Sequence, residues 1–400
     1  MANVDGFFSL SMLLIFIYYL TQQYSLREAA QNTPIIEVNK GLRFEQKLSL
    51  NDSCFIIPEN DQFVKTIEPT NTTTKTQFNI TKFKTILMWS NWDSSLADQI
   101  LVNTQCSITS CLFTSDVTLL NQSDIIVIYI DTSTNFPTDR HPHQRFVFFN
   151  LEPPSYSSIA KISDHRVRYG YFNWTMTYRW DSDIVHRADY GFITKKSLEV
   201  AQKAKHARAI KMLIKGKKKM VAWFVSNCVT TIHREDYVQQ LTQYVEVDIF
   251  GSCTMRNCSS MCYEMLRHDY KFYLAFENSW CTDYVTEKFY RSLKYDTVPI
   301  AMGGAEYNRY APPNSFINAM DFATPKKLAE YLSLLNGSET LYAKYFNWKN
   351  NYEIAIPYNS GLCDLCRMAH NEGLPPKVYW DIKSWWFDKA NCQNDSAYLR

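Results

Sequence analysis

The sequence predicts an α/β protein of two consecutive parallel-sheet blocks, and three observations carry that expectation. The first is a set of short apolar runs, FKTILMW (83–89), DIIVIYI (124–130) and RFVFFNL (145–151), which read as strands buried on both faces. The second is that the pattern restarts after a basic helical stretch. MVAWFVSN, the helical HREDYVQQLTQY, VEVDIFG, KFYLAFEN, the helical DYVTEKFYRSLKY and VPIAMGG then follow in β-α-β order, as in half of a nucleotide-binding sheet. The third is length: 400 residues, at about 100 to 200 per domain, leave room for both blocks. Lys and Arg total 42 against 40 Asp and Glu, and 46% of the chain is apolar, which excludes a disordered chain and offers no basic excess for nucleic acid.

Taken in order, the chain opens on GFFSLSMLLIFIYYL (6–20), an uncharged run that Thr21 to Tyr24 extend toward the roughly 20 residues that span a bilayer. Residues 1–24 read as a short tip and a signal-anchor. A cleaved signal peptide is the competing reading, although bulky Tyr18, Tyr19 and Leu20 stand where a cleavage site needs small residues. No Lys or Arg precedes the run, so orientation is read downstream. Eight Asn-X-Ser/Thr sequences, at Asn51, Asn71, Asn79, Asn121, Asn173, Asn257, Asn336 and Asn394, point to a lumenal body. Residues 25–80, rich in Asn, Thr, Gln and Lys, read as a stem. The first block is placed at 81–215 and closes on KKSLEVAQKAKHARAIKMLIKGKKK (195–219), whose lysines read as a solvated helix face ahead of nucleic-acid or membrane contact. The second block is placed at 216–370, and 371–400 is expected as a C-terminal tail.

Ligands of open α/β sheets bind beyond the carboxyl ends of the strands. In the second block that edge carries Glu277 and Asn278, then a helix whose Val285, Phe289 and Leu293 form a buried stripe while Thr286, Glu287 and Lys288 occupy its start. A lysine near a helix N-terminus opposes the macrodipole, so it fits best beside a shared phosphate; the plain alternative is a surface lysine.

The run FYLAFENSWCTDYVTEKFYRSLKYDTVPIAMGGAEYNRYAPPNSFINAMDF (272–322) resembles the donor-binding signature of the α1,3-fucosyltransferases, and FNWTMTYRWDSDI (172–184) and KMVAWFVSNC followed by Arg234 resemble two further stretches of that family. The resemblance covers roughly residues 83–370. It implies a GT-B fold, two Rossmann-like domains facing each other across a cleft, with GDP-fucose held by the C-terminal domain and the acceptor by the N-terminal one. It implies that Asn278, Tyr284, Thr286, Glu287 and Lys288 bind the donor, Glu287 through the ribose and Lys288 through the diphosphate. Arg234 would be the second diphosphate cation, with Ser226 and Asn227 lining the same pocket. No metal or cofactor is required on this reading, a divalent cation being at most a nonessential stimulant. Glu152, in NLEPPS after a strand end, matches the family's base; its alternative is a carboxylate capping the next segment. Here Glu-Pro-Pro-Ser stands where many relatives have Glu-Ser-Pro, and Trp180 where many have a second basic residue.

The implied activity is inverting transfer of fucose to O3 of a GlcNAc in a glycoprotein glycan, in the Golgi, by a single-pass type II membrane protein. The stretch GGAEYNRYAPPNSFINAMDF is more similar to invertebrate members acting on the N-glycan core GlcNAc than to Lewis-type members acting on N-acetyllactosamine. Two other classes stay open. Asp181-Ser-Asp183 reads as the Asp-X-Asp of Mn²⁺-dependent GT-A transferases, although it lies in a polar stretch and not at the end of an apolar strand. A noncatalytic glycan-binding ectodomain is the other. Among 11 cysteines, an odd number, Cys363 and Cys366 are expected to pair locally, as are Cys106 with Cys111 and two of Cys253, Cys258 and Cys262; Cys228 and Cys281 are expected as free thiols.

Overall fold

The computed structural model describes residues 83–89, 106–131, 134–187, 190–196, 198–256, 262–355 and 360–393. The anchor and stem, and the sequons at Asn51, Asn71, Asn79, Asn257 and Asn394, lie outside the described residues. No helix among the described residues is long and apolar enough to cross a membrane.

Six parallel strands form the first sheet: β1 (Lys84–Met88), β2 (Cys111–Thr114), β3 (Ile125–Tyr129), β4 (Arg145–Asn150), β5 (Trp174–Thr177) and β6 (Ile184–Val185), in the order β2-β1-β3-β4-β5-β6. The continuous apolar runs are explained by burial on both faces. Ile125, Val127, Val147 and Phe149 join one core, whereas Ile126, Ile128, Phe146 and Phe148 join another on the opposite face, as the two-residue period of a strand requires. Each such side chain contributes roughly 1.5–3 kcal/mol on burial, enough to fix which residues form strands.

The second sheet is also parallel. After β7 (Phe192–Lys195), which pairs antiparallel with the late β13 (Tyr352–Ala355), and the basic helix Val200–Gly216, come β8 (Lys219–Phe224), β9 (Val247–Phe250), β10 (Tyr270–Phe276), β11 (Val298–Met302) and β12 (Ile317–Asn318). Their order is β12-β11-β10-β8-β9. Phe272, Leu274 and Phe276 pack on one side with Val298, Ile300 and Met302; Tyr273 and Ala275 face Phe289 and Leu293 of the helix Glu287–Lys294 on the other. The basic helix is largely exposed, with Ile214 buried.

Residues 360–393 depart from the expected layout, because the chain returns to the first sheet. The helix Ser360–Ala369 buries Leu362, Leu365 and Cys366 on one face of that sheet, and residues 381–388 bury Ile382, Trp385 and Trp386 on the other. The stretch expected as a tail therefore completes a core, up to its last described residues. Asp381 locks it to Arg168 with three hydrogen bonds of 2.6–3.1 Å.

The cysteine pairings are corrected by the same return. Cys363 and Cys366 do not pair with each other: Cys363 bonds Cys106 and Cys366 bonds Cys111, stapling the helix to the first sheet. Three and four residues along a helix, side chains share a face, so both sulfurs present themselves to the same neighbour. Cys106 and Cys111 are thus not partners, and Cys228 and Cys281 are not free thiols, being bonded to Cys253 and Cys392. Cys262 is also disulfide-bonded.

The sequons separate by environment. Asn121 and Asn336 are exposed. Asn173 is 8% exposed; its carbonyl accepts from the Phe146 N–H and from Arg140, and its amide donates to the Lys377 carbonyl, so the folded chain has no room there for a glycan.

Candidate active site

The carboxyl edges of the two sheets touch. Beyond β4 the loop 152–156 meets the second sheet, where Ser155 and Ser279 hydroxyls lie 2.7 Å apart and the Asn227 amide donates to the Tyr156 hydroxyl at 2.6 Å. The Trp180 N–H donates to Asp283 at 3.2 Å. The crevice between the edges gathers the polar residues singled out by the sequence.

On the second-sheet side Glu277 follows β10 directly and is fully buried. Its carboxylate accepts from the Thr286 N–H at 2.8 Å and from the Thr286 hydroxyl, and pairs with the Lys288 ammonium at 3.4 Å. Lys288 also reaches Glu287 at 3.1 Å and Thr286 Oγ1 at 2.9 Å. A lysine in the first turn of this helix is tolerated because these carboxylates outweigh the macrodipole there. Burial pushes the Lys288 pKa down, but Glu287 and Glu277 overcome it and raise the pKa on balance, so the ammonium stays charged. Burial raises the Glu277 pKa, with Lys288 opposing. The glycines ending VPIAMGG allow this packing: a Cβ on Gly303 would sit 2.7 Å from the Tyr307 hydroxyl and 3.3 Å from Glu277 Cγ, and one on Gly304 2.8 Å from the Cys281 nitrogen.

Arg234 opens the helix Arg234–Leu241 and is 3% exposed. Its guanidinium donates to the carbonyls of Phe276 and Asn227, and burial lowers its pKa while Glu277 raises it. Ser226, before Asn227, is exposed. His233, ahead of Arg234, and Asp283, ahead of Tyr284, hold left-handed backbone at φ 54° and 65°. Such conformations cost about 1–3 kcal/mol off glycine and gather where geometry serves a site.

On the first-sheet side Glu152 follows β4. Its side chain reaches solvent although protein crowds it from most sides, as expected of a carboxylate in a crevice. That crowding raises its pKa; Lys288 pulls it down, Glu287 and Glu277 push it up, and the Tyr284 hydroxyl lowers it by hydrogen bonding. Tyr284 is thereby buried beside Glu152, with its ring 5.1 Å from Tyr178 and 6.3 Å from Tyr190.

Several polar atoms buried in and around this crevice have no protein partner: Asn278 Oδ1, Arg234 Nε, Arg187 Nε and the hydroxyls of Tyr178 and Tyr307. Buried polar groups are nearly always satisfied, so a cluster of orphans suits a polar ligand. Arg187 itself lies between the rings of Trp180 and Tyr310, 4.4 and 4.9 Å from their centroids. Sequence reading missed Arg187, Tyr178, Tyr156 and Asp283, and gave Glu277 no role. The one available signal was Glu277 at a strand's carboxyl end.

The paired aspartates are committed elsewhere. Asp181 accepts from Arg179 at 2.6 and 2.9 Å, and Asp183 is held by the Thr175 N–H, Lys377 and the Tyr379 hydroxyl. Among the described residues, the group spaced to hold a metal is Cys111, Cys366 and His370, in which the two sulfurs are already bonded to each other.

In sequence, the chain is similar to known fucosyltransferases. The family model "Fucosyltransferase, N-terminal" matches residues 81–191, and "Glycosyltransferase family 10 (fucosyltransferase) C-term" matches 214–385. Alpha-(1,3)-fucosyltransferase C of Drosophila melanogaster is 34% identical over 349 residues, covering 78% of this chain and 79% of the relative. Glycoprotein 3-alpha-L-fucosyltransferase A of the same fly is 36% identical over 330 residues, with 79% and 62% covered. The mouse 4-galactosyl-N-acetylglucosaminide 3-alpha-L-fucosyltransferase 9 is 32% identical over 291 residues, with 70% and 76% covered. A crystal structure of an alpha1,3-fucosyltransferase with GDP-fucose aligns at a TM-score of 0.47 and 16% identity, over 74% of this chain and 92% of that one.

Proposed function

This chain belongs to glycosyltransferase family 10, the fucosyltransferases, and from that premise we propose that it is an inverting, GDP-fucose-dependent α1,3-fucosyltransferase acting on O3 of a GlcNAc in glycoprotein glycans. The observation that carries this reading is the meeting, at one crevice, of the solvent-reachable Glu152 with the two largely buried cations Arg234 and Lys288. In the proposed GT-B arrangement the second sheet holds the donor and the first presents the base and the acceptor.

In the reaction the acceptor O3 attacks fucose C1 as the bond from C1 to the diphosphate oxygen breaks. The proton of O3 passes to Glu152 and the electron pair of the breaking bond to the β-phosphate. Positive groups fixed in place before reaction stabilise the charge that grows on the leaving diphosphate, and Lys288 and Arg234 fill that role. Glu277 keeps Lys288 charged and oriented; Glu287, already drawn to Lys288, would accept from the ribose hydroxyls. Glu152 suits general-base work, since its raised pKa makes it a stronger proton acceptor, and assistance of this kind is typically worth about 10²- to 10⁴-fold. Asn278, with its unpartnered carbonyl oxygen, and Ser226 and Asn227 complete the donor side.

For the acceptor, we favour the core GlcNAc of N-glycans over N-acetyllactosamine on the resemblance of the 303–322 signature to invertebrate members. The apolar run 6–20 and the sequons support a type II anchor in the Golgi membrane with a lumenal body. The test is to incubate the detergent-solubilised chain with GDP-fucose and EDTA, offering a core N-glycan peptide and N-acetyllactosamine together. Fucose at O3 of the core GlcNAc is expected. Label only on N-acetyllactosamine would replace the acceptor, and transfer that needs restored Mn²⁺ would contradict metal-independent catalysis.

A further inference from the structure

The loop that carries Glu152 and the loop that carries Asn278, Asp283 and Tyr284 come from different halves of the chain, and one segment touches both. That segment is 381–393. On its first-sheet side Trp386 is fully buried, its ring 5.1 Å from Phe148 and 5.9 Å from Tyr178. Its indole N–H donates to Ser157 Oγ at 3.1 Å. Ser157 Oγ also accepts from the Asn150 amide at 3.0 Å and donates to the Pro153 carbonyl at 3.3 Å. A hydroxyl offers one proton and two lone pairs, so every hydrogen-bonding position of Ser157 is used. Asn150 in turn accepts the Glu152 N–H at 2.9 Å. The backbone on both sides of Glu152 is thus pinned through Ser157, with Trp386 as the outer support.

On the other side the same segment holds the second loop. Cys392 is bonded to Cys281, the Thr282 N–H donates to the Ala390 carbonyl at 2.8 Å, and the Gln393 N–H to the Trp280 carbonyl at 2.9 Å. These contacts bracket residues 280–282, between Asn278 and the left-handed Asp283.

We propose that residues 381–393 are a positioning clamp that sets Glu152 against the donor loop, with Trp386 the positioning residue for the base and the Cys281–Cys392 bond the positioning element for the donor. The inference rests on the fucosyltransferase reading above. The clamp touches neither substrate in this account; it fixes the direction in which the Glu152 carboxylate leaves its loop and the distance between that loop and residues 278–284. A misplacement of about 1 Å at reacting groups can cost about 10²-fold in rate.

The test uses the full chain and separates turnover from binding. Trp386→Phe keeps an aromatic ring on Phe148 and removes the indole N–H; Ser157→Ala removes the hub hydroxyl from the loop itself. Both are expected to lower kcat by about ten- to a hundred-fold while the KM for GDP-fucose stays within about twofold. The double variant Cys281→Ser/Cys392→Ser is expected to raise the KM for GDP-fucose by a larger factor than it lowers kcat. Wild-type kcat in both Trp386→Phe and Ser157→Ala, or a loss of kcat matched by an equal rise in KM and a fall in Tm, would overturn the clamp. If the unaltered chain transfers no fucose from GDP-fucose, the functional reading fails first; if it does and the variants match it, the clamp alone fails.

Discussion

The second sheet's edge carries its polar side chains on one short stretch, residues 277–288, with Arg234 added, whereas the first sheet's edge is assembled from 150–157, 178–190 and 381–392. The difference follows from what each edge holds. Glu277, Thr286, Glu287 and Lys288 form a closed charge network that orients itself, because each member satisfies another within about a dozen residues of chain. Glu152 has no such local partner. Its loop is steadied by Asn150, by Tyr190 donating to the Leu151 carbonyl, and by residues over two hundred positions away. The charge network of a binding edge can be encoded locally, even though residues 280–282 within that edge are also held by 390–393, while a base that has to stay accessible to substrate is held from behind.

The comparison breaks most visibly at Glu152. Glu152→Gln keeps size and polarity but removes the proton acceptor, and kcat is expected to fall about 10²- to 10⁴-fold, read in a saturating transfer assay. Next comes Lys288→Ala, which removes one of two cations from the donor edge and leaves the buried Glu277 without its counter-charge. GDP and GDP-fucose are both expected to bind about 10- to 100-fold more weakly, since truncating one partner of a buried charge pair costs on the order of 2–5 kcal/mol and surrounding water recovers part of it. Equal GDP binding by that variant would move the diphosphate away from Lys288.

A smaller effect sharpens the link between the edges. Crowding raises the Glu152 pKa and Lys288 opposes the rise, so the working, deprotonated base is lost as pH falls through a pKa above that of an ordinary glutamate. The acid limb of kcat/KM is therefore expected above the usual carboxylate range. In Lys288→Ala it should move higher still, because the cation that favours the carboxylate is gone; a shift to lower pH would contradict the coupling.

Much of this was readable in the sequence, and what was not has a common cause. Strands β1, β3 and β4, strands β8 to β11 and the helix after β10 announce themselves as local apolar patterns, whereas the short β2, β5, β6 and β12 do not; β4 ends where a strand-edge argument places Glu152. Lys288 beside a helix start was equally local. The disulfides were not, since their separations of 257, 255, 111 and 25 residues leave no motif-scale signal, and CxxC spacing favours the wrong, local pairing. Nor was the return of 381–393, because Trp385 and Trp386 in a polar stretch carry no strand or helix period long enough to mark a core. Asn173 illustrates the same limit: a sequon is three residues, but its burial depends on Phe146, Arg140 and Lys377.

Asn173 also supplies the smallest expected effect. Asn173→Ala should leave the glycan mass of the detergent-solubilised protein unchanged, while Asn121→Gln and Asn336→Gln each remove one glycan, as read by intact-mass measurement before and after glycosidase treatment. It should also lower stability by about 1–3 kcal/mol, the penalty for a buried N–H, that of Phe146, left without its acceptor. A glycan lost with Asn173 would contradict its burial.

The division of work between the two edges is tested most directly by titrating GDP into Glu152→Gln in a calorimeter. If the second sheet alone holds the nucleotide, the dissociation constant matches that of the unaltered protein although transfer has collapsed. A loss of GDP affinity as large as the loss of turnover would mean that Glu152 belongs to the donor site, and the assignment of the base to the first sheet would fall.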